Sequence, residues 1–290
     1  MSRVLAVDLG GTKTATALVD RAGCLSEVRK QSAAESFQAS IGQILADFPS
    51  EASAVGVIVP GIYDPSSGKA WAPNLWGRDF YPLRDALQDQ LAVPVAVGSD
   101  RAACVLAEQW LGAAVGLRNV VFVAVGTGIG VGIVADTRPV EGAHGTAGAA
   151  GWMLAGGPWK PEYAACGGWE TEASGPALAR RAGMASGEEV AAAARAGDTK
   201  ALDALRQTAD HLAAGIANLI SILDPEMVVL GGGLMQAADL LMERIRSQAL
   251  RWTQPIAASL VRIERTELGE DAGLLGAARL AWLAIGSHRE

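Results

Sequence analysis

Short apolar runs recur along the chain, and between them hydrophobic residues fall at helical spacing. The continuous runs at 54–59, 93–97 and 227–230 predict buried strands. Residues 34–47, 83–91, 100–111, 188–195, 202–223, 237–251 and 272–285 predict amphipathic helices. In the longest of these, Leu202, Leu205, Ala209, Leu212, Ile216 and Leu223 share one face, which predicts packing against a sheet; Gly215 predicts a close helix contact. Strands alternating with helices predict an α/β protein whose mostly parallel sheet is covered by helices, with an irregular loop at 158–165.

A self-comparison sharpens this picture. Residues 4–20 (VLAVDLGGTKTATALVD) align without gaps on 120–136 (VVFVAVGTGIGVGIVAD), 116 positions later. Each copy is an apolar strand, a Gly- and Thr-rich turn and a second alternating strand, which predicts a β-hairpin. A hairpin turn alone has an ordinary structural reading. Two related turns instead suggest facing halves of a polyphosphate site, because glycines let backbone N–H groups approach a ligand closely. The boundary between the hairpin-led halves is expected near 116–119.

Composition narrows the partners. The chain has 290 residues, half of them hydrophobic, and a net charge of -7; it is long enough for two packed domains. The acidic balance opposes nucleic acid and anionic membrane surfaces, which demand clustered Lys and Arg. Cys24, Cys104 and Cys166 are widely separated, so neither a disulfide framework nor a zinc site is expected, and a reducing cytoplasm fits. The apolar run at 4–7 is too short for a signal segment or a membrane span.

The candidate chemistry lies in the turns. Asp8 ends the first strand, Gly10 and Gly11 free the backbone, and Thr12 and Lys13 offer a hydroxyl and an ammonium. Phosphate binding uses such groups, and an Asp at that strand end suits a hydrated Mg²⁺. Gly126, Thr127 and Gly128 form the matching turn. A third glycine run, Gly231, Gly232 and Gly233, follows a buried strand and precedes a helix; such a turn admits an adenine or ribose, or is a plain strand-to-helix connection.

In order, the segments DLGGTK (8–13), PGIYDPSSG (60–68), APNLWG (72–77), SDRAACVLAE (99–108), GTGIGVGI, HGTAGAAGW, WETEASGPAL, DPEMVVLGGG and GEDAGLLGAA resemble the ROK family of sugar kinases and repressors, within the actin and hexokinase superfamily. The resemblance covers nearly the whole chain. It implies a two-lobed, actin-like (ribonuclease H-like) ATPase fold with a cleft between the lobes. The N-terminal lobe would span 1–117, joined by a returning helix at 272–290, and the larger C-terminal lobe 118–271. It also implies ATP and Mg²⁺ as cofactors, a sugar-like acceptor and transfer of the γ-phosphate to its hydroxyl, with Asp100 as general base. A homodimer is admitted, while the oligomeric state is left open. Asp100 in a helix's first turn, with Ser99 as N-cap, also has a plain capping reading, and the helix dipole is expected to keep it ionised. Acceptor contacts are implied for Gly61, Asn74, Ser99 and Glu170.

Departures from the family pattern gather at the acceptor side. Ser99 stands where Asn is usual, and Ala149 and Trp152 replace the Glu and His of the GExGH run. Of the family's zinc-binding cysteines only Cys166 remains nearby, so no zinc is expected. Loss of polar contacts predicts an acceptor other than plain glucose. Trp152, Trp159 and Trp169, with Trp71 and Trp76 about Asn74, belong either to core packing or to an aromatic wall for the acceptor. His144, beside the acceptor loop, is expected to be structural. The competing functional reading is a nucleotide-binding sensor or pseudokinase with a drifted acceptor site. The repressor branch would need a DNA-binding domain ahead of the hairpin that Val4 begins, and an iron–sulfur ATPase would need paired cysteines; neither is expected.

Overall fold

In the computed structural model, which describes residues 2–154 and 156–287, the chain divides into two compact units. Of the described residues, the first comprises 2–112, 141–146 and 270–287; the second comprises 113–140, 147–154 and 156–269.

The first unit is built on β1 (Arg3–Leu9), β2 (Lys13–Asp20), β3 (Leu25–Ser32) and β4 (Ala52–Val59), the short pair β5 (Ile62–Asp64) and β6 (Lys69–Trp71), and β7 (Val95–Ser99). Its main sheet has the order β3-β2-β1-β4-β7, with β1, β4 and β7 parallel. Strands β1 and β4 are almost wholly buried, so they read as continuous apolar runs. The expected run at 93–97 begins and ends two residues later, as β7. Strand β3 has an exposed, polar edge pattern that carries no apolar signal, and the sequence reading missed it. The helix Ala272–Ser287 packs into this unit at glycines: a Cβ on Gly56 would stand 1.8 Å from the Ala277 carbonyl oxygen. The segment 141–146 joins the unit where Gly145, at φ +66°, lies against the Tyr63 carbonyl.

The second unit repeats the plan with β8 (Val120–Val125), β9 (Ile129–Ala135), β10 (Arg138–Pro139), β11 (Met227–Gly231) and β12 (Arg262–Arg265), in the order β10-β9-β8-β11-β12. Both hairpins form, but their turns differ. Leu9 pairs with Thr14 across the first, whereas Val125 pairs with Ile129 across the second, so the second turn is one residue shorter. The gapless alignment therefore matches the outgoing strands, while pairing of the return strands is offset by one.

The helix Thr199–Leu223 supplies the core of the second unit. Asp198 caps it, its carboxylate accepting from the Ala201 N–H, which places the start three residues before the expected one. That start also corrects the apolar face. Leu202 is exposed and Leu223 only partly buried, while Ala201, Ala204, Leu205, Leu212, Ala213, Ile216 and Ile220 face inward. Gly215 makes the expected close contact: a Cβ there would lie 2.1 Å from the Trp169 ring. Within 158–165, expected to be irregular, a short helix starts at Tyr163 (Tyr163–Cys166). Among the described residues no helix is long and apolar enough to cross a membrane.

Candidate functional site

In the first unit, three parallel strands end side by side. Asp8 of β1 is level with Ile58 of β4, and Val59 is level with Ser99 of β7. Beyond the carboxyl ends of parallel strands the backbone leaves the sheet, which is where α/β proteins place ligands. This register gathers Asp8, Gly61 and Asp100. The Gly61 N–H donates to the Val59 carbonyl at 3.0 Å, and a Cβ at Gly61 would lie 2.1 Å from the Trp71 carbonyl oxygen, so no side chain fits. Gly10 closes the first turn by donating to the Lys13 carbonyl at 2.9 Å. Gly11, Thr12 and Lys13 are exposed, and exposed Asn74 stands beside Gly11, its Cβ 3.6 Å from where a Gly11 Cβ would be.

Ser99 caps the helix Asp100–Leu111, its hydroxyl accepting from the Ala102 N–H at 3.3 Å. Asp100 sits in the first turn, where one carboxylate oxygen accepts from the Arg101 N–H at 2.8 Å. Burial raises the Asp100 carboxyl above its ordinary value, and the Arg101 charge and backbone N–H groups oppose this. Asp8 is pushed up to about 6, first by burial and then by the Asp100 charge, with Lys13 opposing. Arg101, to which the sequence reading assigned no role, donates from Nη2 to the Gly61 carbonyl at 3.3 Å and ties the helix Asp100–Leu111 to the Gly61 turn.

The second unit holds a cavity of about 750 Å³, which Gly126, Thr127 and Gly233 line together with Gly175, Gly187 and Leu234. Its glycines meet backbone to backbone. The Gly175 N–H donates to the Gly126 carbonyl at 2.8 Å, a Cβ on Gly126 would be 3.8 Å from the Gly233 nitrogen, and Gly232, at φ +87°, lies against the Val125 backbone. A side chain at Gly175 would crowd the Gly126 carbonyl, and one at Gly232 would strain the turn. Gly128 and Gly231 have different neighbours. A Cβ at Gly128 would stand 2.6 Å from a Glu170 oxygen, and one at buried Gly231 would meet the Phe122 ring at 2.4 Å. Glu170 is oriented by the backbone, one oxygen accepting from the Ile129 N–H at 2.7 Å. The residues Gly175, Pro176, Arg180, Ser186 and Gly187 of this cavity were not singled out in the sequence; the Ser-Gly-Pro helix start at 174–176 was the available signal.

The tryptophans separate. Trp169 is fully buried and its indole N–H donates to the His211 carbonyl at 2.8 Å, so it is core. Trp76 is buried and donates to Ser40 at 2.9 Å. Trp152 and Trp159 are 59% and 63% exposed. Exposed His144 lies in the first unit. Among the described residues no group of three or more His, Cys, Asp or Glu is disposed to hold a metal ion.

A family model described as the ROK family matches residues 4–283. The chain is 30% identical to a glucokinase of Streptomyces coelicolor over 320 aligned positions, covering 97% of this chain and 98% of that protein. It is also 30% identical to an N-acetylmannosamine kinase of Haemophilus influenzae, covering 95% and 94%. Among solved structures, a ROK family glucokinase from Streptomyces griseus in complex with glucose and AMPPNP superposes with a TM-score of 0.80 at 29% identity, over 97% of this chain and all of that one.

Proposed function

The chain belongs to the ROK family and is an ATP-dependent sugar kinase; from that premise we propose that Asp100 is its general base and that its preferred acceptor is not plain glucose. The observation that carries the first part is the convergence of Asp8, Gly61 and Asp100 at the ends of β1, β4 and β7. Asp100 accepts the proton of the acceptor hydroxyl as its oxygen attacks the γ-phosphorus, and ADP leaves with the bridging electron pair. Burial makes this carboxylate a stronger base than a solvated one, and the Arg101 charge favours its ionised form.

Nucleotide phosphates are received by Gly10, Gly11, Thr12 and Lys13 and by Gly126 and Thr127, while the adenosine occupies the cavity beyond Gly233 in the second unit. Gly128, Gly231 and Gly232 shape that side through their missing side chains. Magnesium fits at Asp8, whose carboxylate is destabilised by burial and by the Asp100 charge, a combination that a hydrated divalent cation relieves. Bound there, the ion supplies charge neutralisation for the transferring phosphoryl group.

On the acceptor, the chain is 30% identical both to a glucokinase and to an N-acetylmannosamine kinase. The reading therefore rests on side chains. Ser99, Ala149 and Trp152 stand where the family pattern carries Asn, Glu and His, and a site that loses hydrogen-bonding groups discriminates hydroxyl patterns differently. Gly61, Asn74, Ser99 and Glu170 remain to contact the acceptor. Coupled-assay measurement of ADP release over a panel of hexoses, N-acyl amino sugars and polyols tests this. Glucose giving the highest kcat/KM of the panel would sink the acceptor proposal.

A further inference from the structure

The nucleotide cavity of the second unit adjoins a smaller one of about 470 Å³, which includes Glu170 and Glu172. Among the described residues only Thr127, Pro176 and Arg180 line both, so these three mark the junction. With adenosine in the larger cavity and Glu170 reserved for the acceptor, a polyphosphate running from one to the other passes this junction.

The cations around the two cavities are not equivalent. Arg195 forms a two-point ion pair with Asp239, at 3.0 and 2.7 Å, and Lys160 pairs with Glu172 at 2.6 Å. Each has its charge matched by the protein. Arg180 is exposed and donates from Nη2 to the Thr171 carbonyl at 2.6 Å. Among the described residues no carboxylate forms an ion pair with it. Its neighbour Arg181 is taken by Glu172 and by the Thr208 hydroxyl. The Thr171 bond fixes the Arg180 guanidinium while leaving further N–H groups to donate. A planar guanidinium held in place is suited to phosphate oxygens.

We propose that Arg180 is the cation of the donor site in the second unit, binding the polyphosphate of ATP at the junction beside Thr127. It adds a charged side chain to a turn that otherwise offers backbone N–H groups and one hydroxyl. The assignment rests on the nucleotide reading of the larger cavity.

Calorimetric titration of the full chain with ATP and separately with adenosine, at constant magnesium and without sugar, tests it in the wild type, Arg180→Gln and Arg180→Lys. Loss of a charge-assisted bond is expected to weaken ATP about tenfold to a hundredfold in Arg180→Gln. Adenosine should bind unchanged, and Arg180→Lys should fall between. ATP binding unchanged in Arg180→Gln overturns the assignment. Parallel weakening of adenosine overturns it as well, since that marks a role in shaping the cavity through Thr171. A wild-type protein that binds neither ligand removes the nucleotide reading itself, and Arg180's role with it.

Discussion

The two glycine hairpins occupy equivalent places in sheets of the same strand order, yet they present different chemistry. The first closes between Leu9 and Thr14 and exposes Thr12 and Lys13, with Asp8 just behind. The second closes one residue sooner, between Val125 and Ile129, and its turn is packed by the backbones of Gly175, Gly232 and Gly233. Similar apolar strands therefore support one turn that exposes a hydroxyl and an ammonium and one whose glycines pack against neighbouring backbone. The first unit couples its turn to a half-buried carboxylate pair, Asp8 and Asp100, whose charges interact. The second couples its turn to a cavity. One loop residue and its neighbours decide which groups a duplicated hairpin presents.

If the base belongs to the first unit and nucleoside binding to the second, Asp100→Asn should lower kcat by about 10²–10⁴-fold while leaving the calorimetric Kd for ATP unchanged. Equal loss of both would break that division of labour. Stability divides differently. Trp169→Ala removes a fully buried indole from the core of the second unit and should cost about 3–5 kcal/mol in urea unfolding. A cost near zero would return Trp169 to the candidate aromatic wall.

Asp8 gives the first unit a pH signature. Its folded value, about 6, lies above its ordinary value of 3.8, so its contribution to stability is complete below the unfolded value and is lost as pH rises through about 6. In chelator, Asp8→Asn should therefore melt several degrees above the wild type at about pH 7.5, with the difference closing toward about pH 4. An unchanged difference across that range would remove the charge conflict argued for Asp8. The smallest stability effect is expected at the surface. Trp152→Ala should shift unfolding by no more than about 0.5 kcal/mol while altering KM for the acceptor. If KM stays constant for every accepted sugar, Trp152 takes no part in acceptor binding.

Much of this organisation was legible in the chain. The hairpins, the buried strands beginning near residues 54 and 227, and the Ser99 cap declare themselves through local periodicity and local hydrogen bonding. Strand β3 was not legible because its polar edge pattern carries no apolar alternation, and β12 because its four residues are too short a run to declare a strand. The face of the helix Thr199–Leu223 was misread at its ends, where Leu202 turned outward and small residues, Ala201 and Ala204, took the buried positions. Helical spacing allows both choices, and packing selects one.

Sequence by itself determined the repeat of two hairpin-led halves, the order of elements and the residue types offered for phosphate and proton chemistry, since each depends on neighbours close along the chain. Tertiary structure decided which of those residues meet. It placed Glu170 on the Ile129 N–H, sank Trp169 beneath Gly215, brought Gly126 to Gly175 and Gly233, and left Arg180 at the junction of two cavities. These contacts join residues tens of positions apart, and only close packing of complete elements fixes which groups lie within reach of one another.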